Sequence, residues 1–131
     1  MGLRFVPLFL IVTACFAGVS RESKLAMNLN RYGDDIRWAR WSDATGMMVP
    51  SLREPYMEAG RRRGPDFRVA DLEMGSLRMN EDQSEAVVTM EVRWYTARQT
   101  FMRATLLEQQ WKWLDGEWML VRERQASGEP M

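Results

Sequence analysis

The sequence predicts an α+β fold in which N-terminal helices pack on a curved antiparallel sheet of about four strands. Three observations carry the prediction. Leu25, Leu29, Tyr32, Ile36 and Ala39 recur at alternating spacings of four and three, the period of one helical stripe. From Pro65 onward the period drops to two, most clearly where Ala86, Val88, Met90, Val92 and Trp94 alternate with Val87, Thr89, Glu91, Arg93 and Tyr95. The pair Asp115-Gly116 then marks a tight hairpin between two further apolar runs.

In chain order, residues 1–14 form a leader with a single charge at Arg4, an apolar run from Phe5 to Ala14 that is short for a bilayer span, and small residues at Thr13 and Ala14. Residues 15–21, with Ala17, Gly18 and Ser20, read as a short tether. The folded domain is expected over residues 22–124, and residues 125–131, with Ser127, Gly128 and Pro130, as a flexible tail. A first helix is predicted from about Ser23 to Ser42, its stripe widened at the C-terminal end by Trp38 and Trp41. A break at Asp43 to Pro50 precedes a second helix over Ser51 to Arg62, with Pro55 in its first turn, where its missing N–H costs nothing.

The strands follow. Phe67 to Met79 changes parity near Gly75-Ser76, from Ala70, Leu72 and Met74 to Leu77 and Met79, the mark of a bulge. Asn80 to Gln83 is a polar turn, so this strand and the next are expected to pair antiparallel. A third strand is predicted from about Thr100 to Trp113 and a fourth from Glu117 to Arg124. Runs of helices followed by runs of strands define the α+β class.

Two resemblances follow from quoted residues. Val12-Thr13-Ala14-Cys15 resembles the lipobox of bacterial lipoproteins, which implies cleavage before Cys15 and acylation of that cysteine. An ordinary cleaved signal or an uncleaved N-terminal helix is the alternative. The hairpin Trp111-Lys112-Trp113-Leu114-Asp115-Gly116-Glu117-Trp118, together with Arg37-Trp38 and Val49-Pro50-Ser51-Leu52-Arg53, resembles small bacterial lipoproteins with a nuclear-transport-factor-2-like, or cystatin-like cone, domain. The resemblance implies a cone with room for a pocket, and it carries no catalytic residue over.

The chemistry available is narrow. The chain has no histidine, and its one cysteine is Cys15, so Ser-His, Cys-His and His-metal mechanisms are excluded and no internal disulfide can form. No catalytic residue, metal site or cofactor is assigned. Once Arg4 leaves with the leader, 17 basic residues face 18 acidic ones, a net charge of −1, which argues against a nucleic-acid partner. The eleven methionines are scattered, as core filling requires, without a clustered copper motif. Tyr32, Trp38, Trp94 and Tyr95 are the candidates to line a pocket, although the six tryptophans have the spacing of core residues. Arg61-Arg62-Arg63 reads as a solvated helix end.

Two functional classes emerge. The first is a lipid-anchored module of the cell envelope, facing the periplasm, that binds an envelope protein or assembles as a homodimer without catalysing a reaction. The second is a binder of apolar small molecules, or a cone-fold enzyme using carboxylates and tyrosines such as Tyr32. Their discriminating feature is what fills the cone: a cavity with Tyr32 or a carboxylate pointing inward favours the second class, and complete filling by methionine and tryptophan favours the first.

Overall fold

Ser20 starts the folded chain by accepting a hydrogen bond at Oγ from the Ser23 backbone N–H (3.1 Å), the N-cap of helix α1 (Arg21–Arg37). The computed structural model describes residues 18–131; the leader 1–14, Cys15 and the first tether residues lie outside the described residues. Tether residues Ser20 and Arg21 therefore belong to the folded domain as cap and first turn. Leu25, Leu29, Tyr32 and Ile36 of α1 are buried as the stripe predicts, each apolar side chain worth about 1.5–3 kcal/mol on removal from water.

The helix ends five residues before Ser42. Ala39 takes a left-handed backbone (φ 54°), and the Arg40 N–H turns back to the Asp35 carbonyl at 2.7 Å, closing the last turn. Ala39 and Trp38 thereby leave the stripe. The chain reverses through helix α2 (Trp41–Ala44) and a 3₁₀ turn at Thr45–Met47, where the sequence had read a break, and enters α3 (Pro50–Arg63). Pro50 occupies the first turn of α3. Pro55 lies inside the helix rather than in that turn, so the carbonyl four residues earlier, at Ser51, loses its helical donor. Gly60 faces the Trp41 indole so closely that a Cβ there would lie 2.7 Å from the ring.

Four antiparallel strands, β1 (Phe67–Met79), β2 (Glu85–Thr96), β3 (Gln99–Leu114) and β4 (Glu117–Gly128), form one sheet in sequence order. Opposed pairs such as Leu72↔Val92, Met90↔Leu107 and Ala86↔Trp111 build the face that α1 covers. β1 slips register between Met74 and Leu77, the bulge expected at Gly75-Ser76, and again between Val69 and Asp71. Asp115 (φ 50°) and Gly116 (φ 83°) are both left-handed, the two-residue turn whose twist matches the strands it joins.

Residues 125–131 are a correction to the flexible tail. β4 continues to Gly128, the Glu129 N–H donates to the Ala104 carbonyl (2.9 Å), and Met131 packs against the core. Two contacts fix the N-terminal half of α1 on the β3–β4 hairpin: Trp118 Nε1 donates to the Arg21 carbonyl (2.7 Å), and Asn28 Nδ2 donates to the Trp118 carbonyl (3.0 Å). Val49 N–H bonds the Leu120 carbonyl (3.1 Å), covering the edge of β4 at that point. Among the described residues, no helix is long and apolar enough to cross a membrane.

Candidate functional site in the cone interior

One register shift decides what points into the cone. Trp111 of β3 opposes Leu120, but Gln110 opposes Arg122, so Val121 is an extra residue on β4. Trp118 and Leu120 face inward before this bulge. Strict alternation would carry Arg122 to the same face and send Glu123 outward. The bulge reverses the parity and places Glu123 opposite inward-facing Gln109.

Glu123 there accepts two hydrogen bonds at Oε2. One comes from the Tyr32 hydroxyl on α1, a short contact, and one from Gln109 Nε2 at 2.8 Å. Gln109 is oriented in turn by Trp111, whose Nε1 donates to its Oε1 (3.0 Å). Tyr56 of α3 donates its hydroxyl to that of Tyr32 at 3.3 Å, and the two rings tilt together with centroids 6.3 Å apart. Four elements, α1, α3, β3 and β4, thus meet in one polar cluster within an apolar core.

Burial sets the acid–base character of this cluster. It raises the pKa of the Glu123 carboxyl, and the bonds from Tyr32 and Gln109 and the positive charge of Arg63 only partly offset it. Burial and then the nearby Glu123 charge push the Tyr32 phenol well above its usual range, and the same two causes push Tyr56 up. Both phenols therefore stay protonated in neutral solution and serve as donors. Beside them, Asp35 is buried with Oδ1 on Arg40 Nε (3.1 Å), while Asp35 Oδ2 and Arg63 Nε are buried without a partner.

A carboxylate of raised pKa next to two phenols has the chemistry for proton transfer. Access to the site is narrow: Glu123 itself is half-buried, and its partners are closed off. Tyr32 is 1% exposed, and Gln109 and Trp111 are 0% exposed. Two clefts lie away from the cluster, about 350 Å³ between α1 and the β3–β4 hairpin and about 170 Å³ between α1 and β1, while a third of about 180 Å³ on β3 and β4 reaches Gln109. No cluster of three or more acidic or cysteine side chains suited to a metal ion is present among the described residues.

The four side chains singled out from the sequence divide. Tyr32 and Trp94 both point into the interior; the Trp94 indole donates to Thr105 Oγ1 (2.9 Å) and its ring packs 5.2 Å from that of Phe67. Tyr95, the next residue on β2, leaves by the opposite face and is half-buried. Trp38 is 69% exposed at the C-cap of α1, because the chain turns at Ala39 before the indole can reach the core. Glu123 and Gln109, which complete the cluster, are not evident in the sequence, since only the bulge aims Glu123 inward.

No family model matches the chain, and no curated protein matches it. Solved structures do. A protein of unknown function with a cystatin-like fold from Nostoc punctiforme superposes with a TM-score of 0.59 at 9% identity, over 83% of this chain and 91% of that one. The fold is a cystatin-like cone. A scytalone-dehydratase-like protein from Novosphingobium aromaticivorans shares it (TM-score 0.59, 15% identity, 82% and 85% of the two chains). So does the intermembrane-space region of the chloroplast protein ARC6 (TM-score 0.57, 9% identity, 84% and 99%). At such identities the likeness concerns the cone alone, which serves enzyme-like and other proteins alike.

Proposed function

We propose that this cone is a lipid-anchored envelope module, held at Cys15, that docks another protein rather than turning over a substrate. The observation that carries the reading is the filled interior. Tyr32 and Gln109 both donate to Glu123, Trp111 donates to Gln109, and these three donors are buried where a cone-fold enzyme needs an open chamber.

The distribution of exposed apolar side chains supports a docking end. The Arg21 guanidinium reaches the Gln83 carbonyl (3.3 Å) at the β1–β2 turn, whereas Arg37 reaches the Ala70 carbonyl (3.3 Å) at the other end of the sheet. Trp38, 69% exposed, follows Arg37 at that far end. Phe101 (58%) and Met102 (54%) begin β3 at the same end, next to Arg103, which opposes Trp94. Exposed apolar side chains at the end away from the N-terminus suit a protein partner approached from a membrane tether.

The test has two arms in the native host. Labelling with an alkyne palmitate analogue is expected to mark the wild type and not Cys15→Ala; equal labelling of both refutes the anchor. A photo-crosslinking residue at Phe101 is expected to give a discrete protein adduct that the same residue at Val87, on the uncovered sheet face, does not. Absence of an adduct at Phe101 refutes the docking end.

A second reading is favoured by one observation, the inward Glu123 carboxyl between Tyr32 and Gln109. This pair would offer a general acid–base couple to an apolar small molecule that reached the half-buried carboxyl. Slow loss of a compound from a library screen that depends on Glu123 and Tyr32 would establish that reading; indifference to Glu123→Gln would remove it.

A further inference from the structure

We infer that the cleft between α1 and the β3–β4 hairpin binds the anionic headgroup of a membrane lipid. The cleft, about 350 Å³, falls in the size range of sites for small ligands. Its floor is apolar, with Met47 and Trp118 buried and Trp113 half-buried beside them. Its rim is cationic. Lys24 and Arg31 stand seven residues apart on one face of α1, and neither has an ion-pair partner among the described residues. Glu117 is the one acidic side chain lining the cleft.

The Trp113 indole sits between two cations, with Arg21 Cζ 4.8 Å and Lys24 Nζ 5.3 Å from its ring centroid. An anion entering there meets Lys24 and Arg31, while an attached chain has Trp113 and Met47 to lie against. That combination of fixed positive charge over an aromatic and thioether floor matches an amphiphile with a phosphate head, not a free polar ion alone. Exposed Met27 lines the cleft, and exposed Val19 precedes α1 and exposed Leu114 ends β3 next to the lining residue Trp113. Apolar side chains interspersed with lysine and arginine are what a protein surface presents to a bilayer interface.

The cleft between α1 and the hairpin shares no lining residue with the Glu123 cluster. The inference rests on the tethered-module reading only in taking a bilayer lipid as the source of the anion. Cys15 labelling and cleft binding are read independently, so either can fail alone.

The experiment uses the full-length protein purified from its host in maltoside micelles. Dihexanoylphosphatidylglycerol is titrated while tryptophan fluorescence is followed, with dihexanoylphosphatidylcholine and inorganic phosphate as comparison probes. Saturable binding of the phosphatidylglycerol is expected, weaker by at least about tenfold for the phosphatidylcholine and for the Lys24→Glu/Arg31→Glu double variant. Both side chains are exposed and without an ion pair, and Lys24 gives up only an exposed cation–π contact, so the thermal midpoint of that variant is expected to fall by no more than a few degrees. A Trp113→Phe variant should bind while losing most of the fluorescence change. Unaltered affinity in a folded double variant, or no saturable binding by the wild type, overturns the site. Inorganic phosphate binding as tightly as the lipid overturns the lipid assignment.

Discussion

Replacing Tyr32 by phenylalanine probes the interior directly. The hydroxyl donates to a half-buried carboxylate and accepts from Tyr56, so its loss removes a charge-assisted bond and orphans a second buried hydroxyl. Bonds to charged groups contribute about 1.5–3 kcal/mol and an unsatisfied buried donor costs about 1 kcal/mol or more, so the expected loss of stability at pH 7 is about 3 kcal/mol. Urea unfolding followed by circular dichroism measures it. In a Glu123→Gln background the acceptor is neutral, and the same change should cost about 1 kcal/mol less. The pH dependence has a fixed sign. The folded pKa of Glu123 lies above its unfolded value, so the ionised carboxyl lowers stability at neutral pH. Stability linked to this group rises as the pH falls through the folded value toward the unfolded one, and the Tyr32→Phe penalty shrinks over the same range. A penalty below about 0.5 kcal/mol at pH 7, or one identical in both backgrounds, refutes the reasoning.

Further expectations concern the frame around the cluster. Gly116→Val places a β-branched residue at φ 83° and should destabilise by about 1–2 kcal/mol, seen as a lower thermal midpoint; no shift would mean that the hairpin does not rely on this turn. Gly60→Ala drives a methyl into the Trp41 indole, which is itself held between Tyr56 and Phe67 at centroid distances of 6.1 Å, and should cost about 1–2 kcal/mol despite the better helix propensity. Arg40→Ala leaves the buried Asp35 carboxylate without its cation and should cost about 2 kcal/mol, partly recovered by a second Asp35→Asn change; a double variant as unstable as the single one would contradict the pairing.

Much of the fold was legible because the periods are clean. The stripe from Leu25 to Ile36, the alternation from Ala86 to Trp94 and the Asp115-Gly116 turn each report one local geometry, and tertiary packing reinforces each. The parity change around Gly75 was readable for the same reason, since apolar residues flank it on both sides. The end of α1 was not legible: Trp38 and Ala39 fit the helical period, and only the left-handed Ala39 turns the chain. The docked C-terminus was missed because Ser127, Gly128 and Pro130 have the composition of a loop, while backbone bonds to Ala104 hold the segment whatever its side chains. Glu123 was hidden for a deeper reason. Its inward aim depends on the extra residue at Val121, and the run Trp118-Met119-Leu120-Val121 is apolar on both faces, so no sequence period marks the slip. Tyr32 was a candidate from its place in the stripe, but its partner could not be named without the register of β3 on β4.

The most direct test of the tethered, closed-cone account is native mass spectrometry of the protein extracted gently from its own host's membranes. The account predicts a mature chain that begins at acylated Cys15 and carries a protein partner, with no small molecule retained in the core after lipid is stripped from the complex. An unlipidated chain, or a lipidated one that keeps a stoichiometric small-molecule mass lost on Tyr32→Phe or Glu123→Gln substitution, would contradict it.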